Sequence, residues 1–183
     1  GLDGTNRFGI GTEKKLYIET GTAYYDVTPI RASSTINNNP FAISSGSTTV
    51  TVTDTGHGAV AGDFVTFSGT ASTGDSALTA AVLNAEYTID SITDANTYVI
   101  TATAASASVS GSKGGASVVA AYQINVGLTT VVFGTGWGVD TYGAEGYGSA
   151  STGGSAASGQ LRIWSLTNYG EDLLANVRNG GIF

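Results

Sequence analysis

The chain holds a single histidine, His57, in Thr55-Gly56-His57-Gly58, with Gly62-Asp63 close behind. A histidine near an aspartate has the residue types of a general base or of a metal site. The sequence offers no second histidine and no cysteine to complete either arrangement. On a glycine-rich loop the spacing from His57 to Asp63 is that of a turn, so both are read as a structural turn clasp. Asp90, Asp94 and Asn96 lie close together as calcium-binding oxygens do, but their spacing does not match the alternating ligand pattern of such a loop. They are read as turn and cap residues. Glu171 and Asp172, beside Tyr169, have the types of a catalytic carboxylate pair. Neighbours on a strand point to opposite faces, so the two would not converge on one substrate. Gly134-Thr135-Gly136-Trp137-Gly138 has the outline of a phosphate-cradling run, yet no Lys-Ser/Thr and no amphipathic helix follow it. No catalytic, cofactor-binding or metal-binding residue is assigned, no cofactor is expected, and the chain is expected not to be an enzyme.

The remaining residues with recognition chemistry are aromatic. Trp137, Tyr142, Tyr147 and Trp164 stand among glycines in the C-terminal third. Aromatic faces over bare backbone favour close packing, and the same faces can stack on a sugar. These four are the expected contact and packing aromatics.

The elements that must position these residues are strands. Lys15–Glu19 and Tyr24–Thr28 flank Gly21-Thr22 as a hairpin, which Pro29 ends because proline cannot donate to a ladder. Asn37-Asn38-Asn39-Pro40 is a polar breaker and an expected domain boundary. Beyond it, Thr48–Thr53, Phe64–Phe67, Glu86–Ile92 and Thr97–Thr101 alternate or cluster β-formers. Thr79–Leu83 hints at helix but is too short to stand alone. Residues 102–116 are an Ala/Ser/Gly stretch read as a loop, after which Val118–Val126 and Thr129–Phe133 resume strand character. Gln160–Leu166 and Glu171–Val177 follow, and Asn179-Gly180 has the composition of a hairpin turn. The expected class is all-β, with the centre a small barrel or sandwich.

Composition limits the partners. Of 183 residues, 27 are Gly and 11% are charged, against roughly 25% charged in an average soluble domain. Few charges and many small residues fit surfaces that are covered by hydroxyls or buried against other subunits. The net charge of −7 comes with seven scattered Lys and Arg, so the basic stripe of a nucleic-acid binder is missing and no direct nucleic-acid binding is expected. No apolar run reaches the ~20 residues of a helical membrane span, and none is expected. Without cysteine, stability must come from packing, ladders and assembly. The chain also lacks methionine, and it ends on an apolar pair after a turn signal. It is as readily a segment of a longer polypeptide as a whole one.

Two patterns carry a family resemblance. Val50–Thr53, Gly56-His57-Gly58, Gly62–Gly69, Leu83–Ile89 and Asp94–Ile100 together resemble a small β module recurrent in phage virion proteins, one often labelled as similar to a half-domain of ubiquitin-activating enzyme. The match spans residues 47–103. That enzyme acts through a cysteine, which this chain lacks, so the label implies no activity here. The flanks, including Leu16-Tyr17-Ile18, Tyr24–Pro29, Gly136-Trp137-Gly138, Trp164-Ser165-Leu166 and Tyr169–Leu174, look like a stretch of a large tail protein of short-tailed phages. In that family such stretches build a β-propeller-like platform in the tail nozzle.

The resemblance implies a platform formed by residues 1–36 and 126–183, with residues 37–125 inserted as a small barrel or sandwich. It also implies a virion protein located in the tail, a nozzle or tube component acting by assembly with copies of itself and with neighbouring virion proteins. The alternative is a tail-fibre or capsid-decoration module that binds host-surface glycans through the four aromatics. A depolymerase is the least favoured reading, because the acids are dispersed.

Overall fold

The computed structural model describes residues 7–21, 23–127, 162–169 and 172–177. The chain is all-β, with several antiparallel sheets and one single-turn helix among the described residues. It divides into two compact units, Asp26–Val126, and Gly1–Tyr25 with Gly127–Phe183.

The central unit contains β4 (Ile30–Ile36), β5 (Phe41–Ile43), β6 (Thr49–Thr53), β7 (Phe64–Ser68), α1 (Ala80–Leu83), β8 (Glu86–Asp94), β9 (Thr97–Thr101), β10 (Gly111–Lys113) and β11 (Val118–Gln123). The strands form one sheet in the order β10-β5-β6-β9-β8-β7-β11-β4. Period-two alternation decides what each strand buries. In β6, Val50 and Val52 point inward; β9 does the same with Tyr98 and Ile100, and β7 with Val65 and Phe67. Fully burying an aliphatic or phenyl side chain stabilises by roughly 1.5–3 kcal/mol, so these few positions account for much of the drive to fold.

The sheet is folded over on itself. Flat neighbouring strands lie about 4.8 Å apart, which would separate β5 from β7, four places along, by about 19 Å. Instead the rings of Phe41 and Phe67 meet edge to face with centroids 5.0 Å apart. The bend runs through β8, whose start pairs with β7 and whose remainder pairs with β9 across two register shifts, at Ile89/Ser91 and Ile92/Asp94. Bulges of this kind raise local twist and let one strand serve two facing layers. β10 and β4 remain as unjoined edges, so among the described residues the unit is sandwich-like and no barrel closes. α1 is capped by Thr79, whose Oγ1 accepts from Val82 N at 3.3 Å, and it delivers Leu83 to the core.

Two sequence expectations are corrected in this unit. The boundary expected at Asn37–Pro40 is an internal turn. Asn38 and Asn39 take left-handed φ values of 63° and 56°, which asparagine tolerates, and they reverse the chain between β4 and β5. Residues 26–36, which the resemblance places in the platform, instead belong to the central unit through β4, which pairs along β11. The stretch 102–116, expected as a loop, contributes β10 and an isolated bridge from Ser106 to Ser45.

The flanking unit holds β1 (Phe8–Gly11), β2 (Leu16–Thr20) and β3 (Ala23–Asp26) in a three-stranded sheet, and β12 (Trp164–Tyr169) with β13 (Asp172–Val177) as an antiparallel pair. β3 reaches Asp26, the first residue of the central unit. The glycine-rich start of the chain supplies β1, in which Gly9 and Gly11 let the strand approach β12. A Cβ on Gly11 would lie 2.1 Å from Trp164 Cδ1, and one on Gly9 2.3 Å from Leu166 Cδ1. Thr129–Phe133 and the Gly/aromatic tract lie outside the described residues, as do residues 178–183. Among the described residues no helix is long and apolar enough to cross a membrane.

Candidate functional site

A buried polar cluster of the central unit gathers around Tyr122 on β11. Its hydroxyl donates to Asp54 Oδ2 at 2.5 Å and lies 2.9 Å from the hydroxyl of Tyr98 on β9. Ser34 on β4 donates to the same Asp54 oxygen at 2.5 Å. Asp54 directly follows β6 and is buried, so two hydroxyl donors replace the water it gives up. A register shift at Tyr122/Gln123 leaves Arg31 as the extra residue of β4. Its guanidinium sits 5.2 Å from the centre of the Tyr122 ring, and its Nη2 donates to His57 O at 2.9 Å. Burial raises the ionisation of both Tyr98 and Tyr122 well above the usual phenol range. Both phenols are thus neutral donors and acceptors at ordinary pH.

His57 packs against this cluster, edge-on to Tyr98 with centroids 5.0 Å apart. Its Nδ1 accepts from Ala59 N at 3.0 Å, which places the ring proton on Nε2, 3.2 Å from Asp94 O. Both nitrogens are engaged by backbone. Asp63 is fully buried in a separate clasp: Oδ2 accepts from Val60 N at 2.9 Å and from Asn125 Nδ2 at 2.6 Å, and Oδ1 accepts from Val126 N at 2.8 Å. The structure thus gives His57 and Asp63 different partners, and they form no dyad. His57 ties its loop to the β8–β9 turn; Asp63 ties the same loop to the end of the unit.

The other acids are held in the same manner. Asp94 Oδ1 accepts from Asn96 N at 2.7 Å, and this contact leads the causes that lower its ionisation. Asp90 Oδ2 accepts from Thr101 Oγ1 at 2.7 Å, and Asn96 Oδ1 from Gly56 N at 3.1 Å. No group of three or more metal-ligating side chains converges among the described residues.

Asp75, which sequence reading passed over, is the most heavily bonded. Its carboxylate accepts backbone N–H from Ala77, Leu78, Ala107, Ser108 and Val109 at 2.8 to 3.2 Å, and the hydroxyl of Ser106 lies 2.9 Å away. These donors, Ala107 first, hold its carboxyl far below the usual range. It fastens the loop before α1 to the stretch before β10.

Of the four aromatics singled out in the sequence, Trp137, Tyr142 and Tyr147 lie outside the described residues. Trp164 is half-buried on β12, its indole against Gly11 and its Nε1 donating to Thr12 O at 2.9 Å. Arg162 lies 5.6 Å from its ring. Glu171 is outside the described residues, and Asp172 opens β13.

Fold and polar network together define an all-β unit in which the carboxylates described above act as loop fasteners. No family model and no curated protein matches the chain. Among solved structures, a phage phi92 endosialidase is similar at 23% identity with a TM-score of 0.41, covering 67% of this chain and 19% of that one. The chain thus spans about a fifth of that protein's length.

Proposed function

We propose that the chain is a structural component of a bacteriophage virion that works in the tail by subunit assembly. In this reading the flanking strands belong to a β-propeller-like platform of the nozzle or tube. The central unit is a displayed insert. The observation that carries the proposal is how the central unit begins and ends. Ile124 N donates to Pro29 O at 3.0 Å, so the chain leaves the unit beside the point where it came in. Asp63 holds the departing segment through Val126 N. Such an arrangement lets a host platform carry the unit on one turn without interrupting its own strands. The sequence patterns of residues 47–103 and of the flanks supply the phage assignment, and the clasped acids favour an architectural role over a chemical one.

Peptide mapping of purified phage particles, with antibody labelling in the electron microscope, tests the reading. The chain is expected in the particle with label on the tail. Its absence from washed particles would remove the proposal. Binding to host-surface glycans is the competing reading, and Trp164 lends it nothing because its indole is packed on Gly11 and bonded to Thr12. Host-cell adsorption by Trp137→Ala and Tyr147→Ala chains separates the two. Lost adsorption with intact assembly supports glycan binding.

A further inference from the structure

We infer that the outer edge of β4 is a self-pairing surface, to which a second copy of this chain adds its own β4 antiparallel with Ser33 facing Ser33. This deepens the assembly reading by naming a partner and a contact, and it rests on that reading.

The two edges of the eight-stranded sheet are unlike. β10 has three residues, carries Lys113, and is bracketed by Gly111 and Gly114 at φ of 99° and 115°. Short length, a lysine and irregular backbone are the devices by which edge strands avoid adding further strands. β4 has seven residues, Ile-Arg-Ala-Ser-Ser-Thr-Ile, with no proline, lysine or glycine among them. On its inner side it pairs with β11, and the sheet order places no described strand beyond it. Ala32, Ser33 and Thr35 are exposed, and Ile30 is 47% exposed. The sole charge, Arg31, is turned onto the Tyr122 ring by the bulge, so it does not guard the edge as a lysine would.

The strand is also matched to itself. An antiparallel twofold through Ser33 sets Ala32 opposite Ser34, Arg31 opposite Thr35 and Ile30 opposite Ile36. Small side chains meet at the centre, and no like charges oppose one another. A contact in which the same patch serves both partners is the common twofold arrangement of homo-oligomers. With a chain charge of −7, copies repel at long range, and an acid-free edge is where they can approach.

The chain has no cysteine, so an introduced thiol reports on a silent background. Facing residues of an antiparallel pair lie about 4.5–5.5 Å apart at Cα, within disulfide reach. In the 183-residue chain, Ser33→Cys is expected to form disulfide dimers roughly tenfold or more faster than Ser112→Cys on β10, through raised effective concentration. Ser33→Lys and Ser33→Glu chains, each alone, are expected to sediment as monomers, and their mixture to pair again. The mixture also shows that both variants fold. Equal rates for the two cysteine variants, or a wild-type chain that sediments unchanged against Ser33→Lys over a concentration series, would overturn the inference. Detection in the tail with no Ser33 cross-link removes this contact alone, whereas a cross-link in a chain absent from particles removes the virion reading and leaves the contact.

Discussion

Tyr122 donates its phenolic hydrogen to Asp54 across 2.5 Å, joining residues 68 positions apart and fixing β11 to the end of β6. Replacing Tyr122 by Phe leaves the buried carboxylate with Ser34 as its remaining hydroxyl donor. We expect a loss of about 1–3 kcal/mol in urea unfolding, the cost of leaving a buried group short of a partner. A variant as stable as the parent would show that Asp54 gains nothing from this hydroxyl.

The same pair sets an alkaline boundary. The folded-state ionisation of Tyr98 and Tyr122 lies above the ordinary value of 10.0, chiefly through burial. A raised folded value means stability that is complete below 10.0 and declines as pH rises past it, because the unfolded chain then releases protons the folded chain keeps. Spectrophotometric titration should show tyrosines that form phenolate only as the fold is lost, and Tyr122→Phe should lower their number. Simultaneous titration of all nine tyrosines of a folded chain would refute this.

At the acid end the governing residue is Asp75. Its ionisation is depressed, first by the Ala107 N–H, so its contribution is present above the ordinary value of 3.8 and is lost progressively as pH falls below that. The Asp75→Asn chain is expected to unfold at lower urea, and its stability should depend less steeply on pH below about 4 than the parent's. Parallel acid profiles for the two chains would count against the clasp.

In the flanking unit, Gly11→Ala and Gly9→Ala should differ. The Cβ of the first meets the rigid indole of Trp164 at 2.1 Å, while that of the second meets the end of a flexible leucine at 2.3 Å. Overpacking costs typically about 1–3 kcal/mol, and we expect Gly11→Ala toward the upper end and Gly9→Ala below it. Tryptophan fluorescence should shift in the first and hold in the second. The reverse order would mean that β12 does not lie over β1 as described.

Gly69 tests the backbone itself. It has φ of +73°, and a Cβ there would stand 2.8 Å from the carbonyl oxygen of Ser117, a backbone atom just before β11 that cannot rotate away. Gly69→Ala is expected to destabilise by about 1–3 kcal/mol, combining left-handed strain with the clash. Thermal unfolding measures it, and an unchanged midpoint would contradict the turn geometry.

The strands with strong alternation, β6, β7, β9 and the first half of β8, were legible because Val, Ile, Phe and Tyr recur at every second position. β4 and β5 were not. Ser33, Ser34 and Thr35 carry no apolar signal, since β4 lies at the edge and exposes most of its length. The Asn37–Pro40 breaker has the composition of a linker but folds as a turn, a distinction set by φ rather than by residue type. His57 and Asp63 lay in a visible loop, yet their partners Asp94, Asn125 and Val126 are far along the chain. Asp54 and Asp75 gave no warning either: an aspartate beside a glycine or a strand end is common, and what distinguishes these two is donors brought in by the folded sheet.

The hydrogen bond between Ile124 and Pro29 bears on ancestry as well as shape. A unit whose termini are neighbours can be moved between unrelated carriers by recombination at a single surface turn, with no rerouting of the recipient's backbone. Such a unit is also lost without rerouting the carrier, and its ends can be rejoined and a new break opened elsewhere. On the proposed reading, the chain's two units are free to follow separate evolutionary histories.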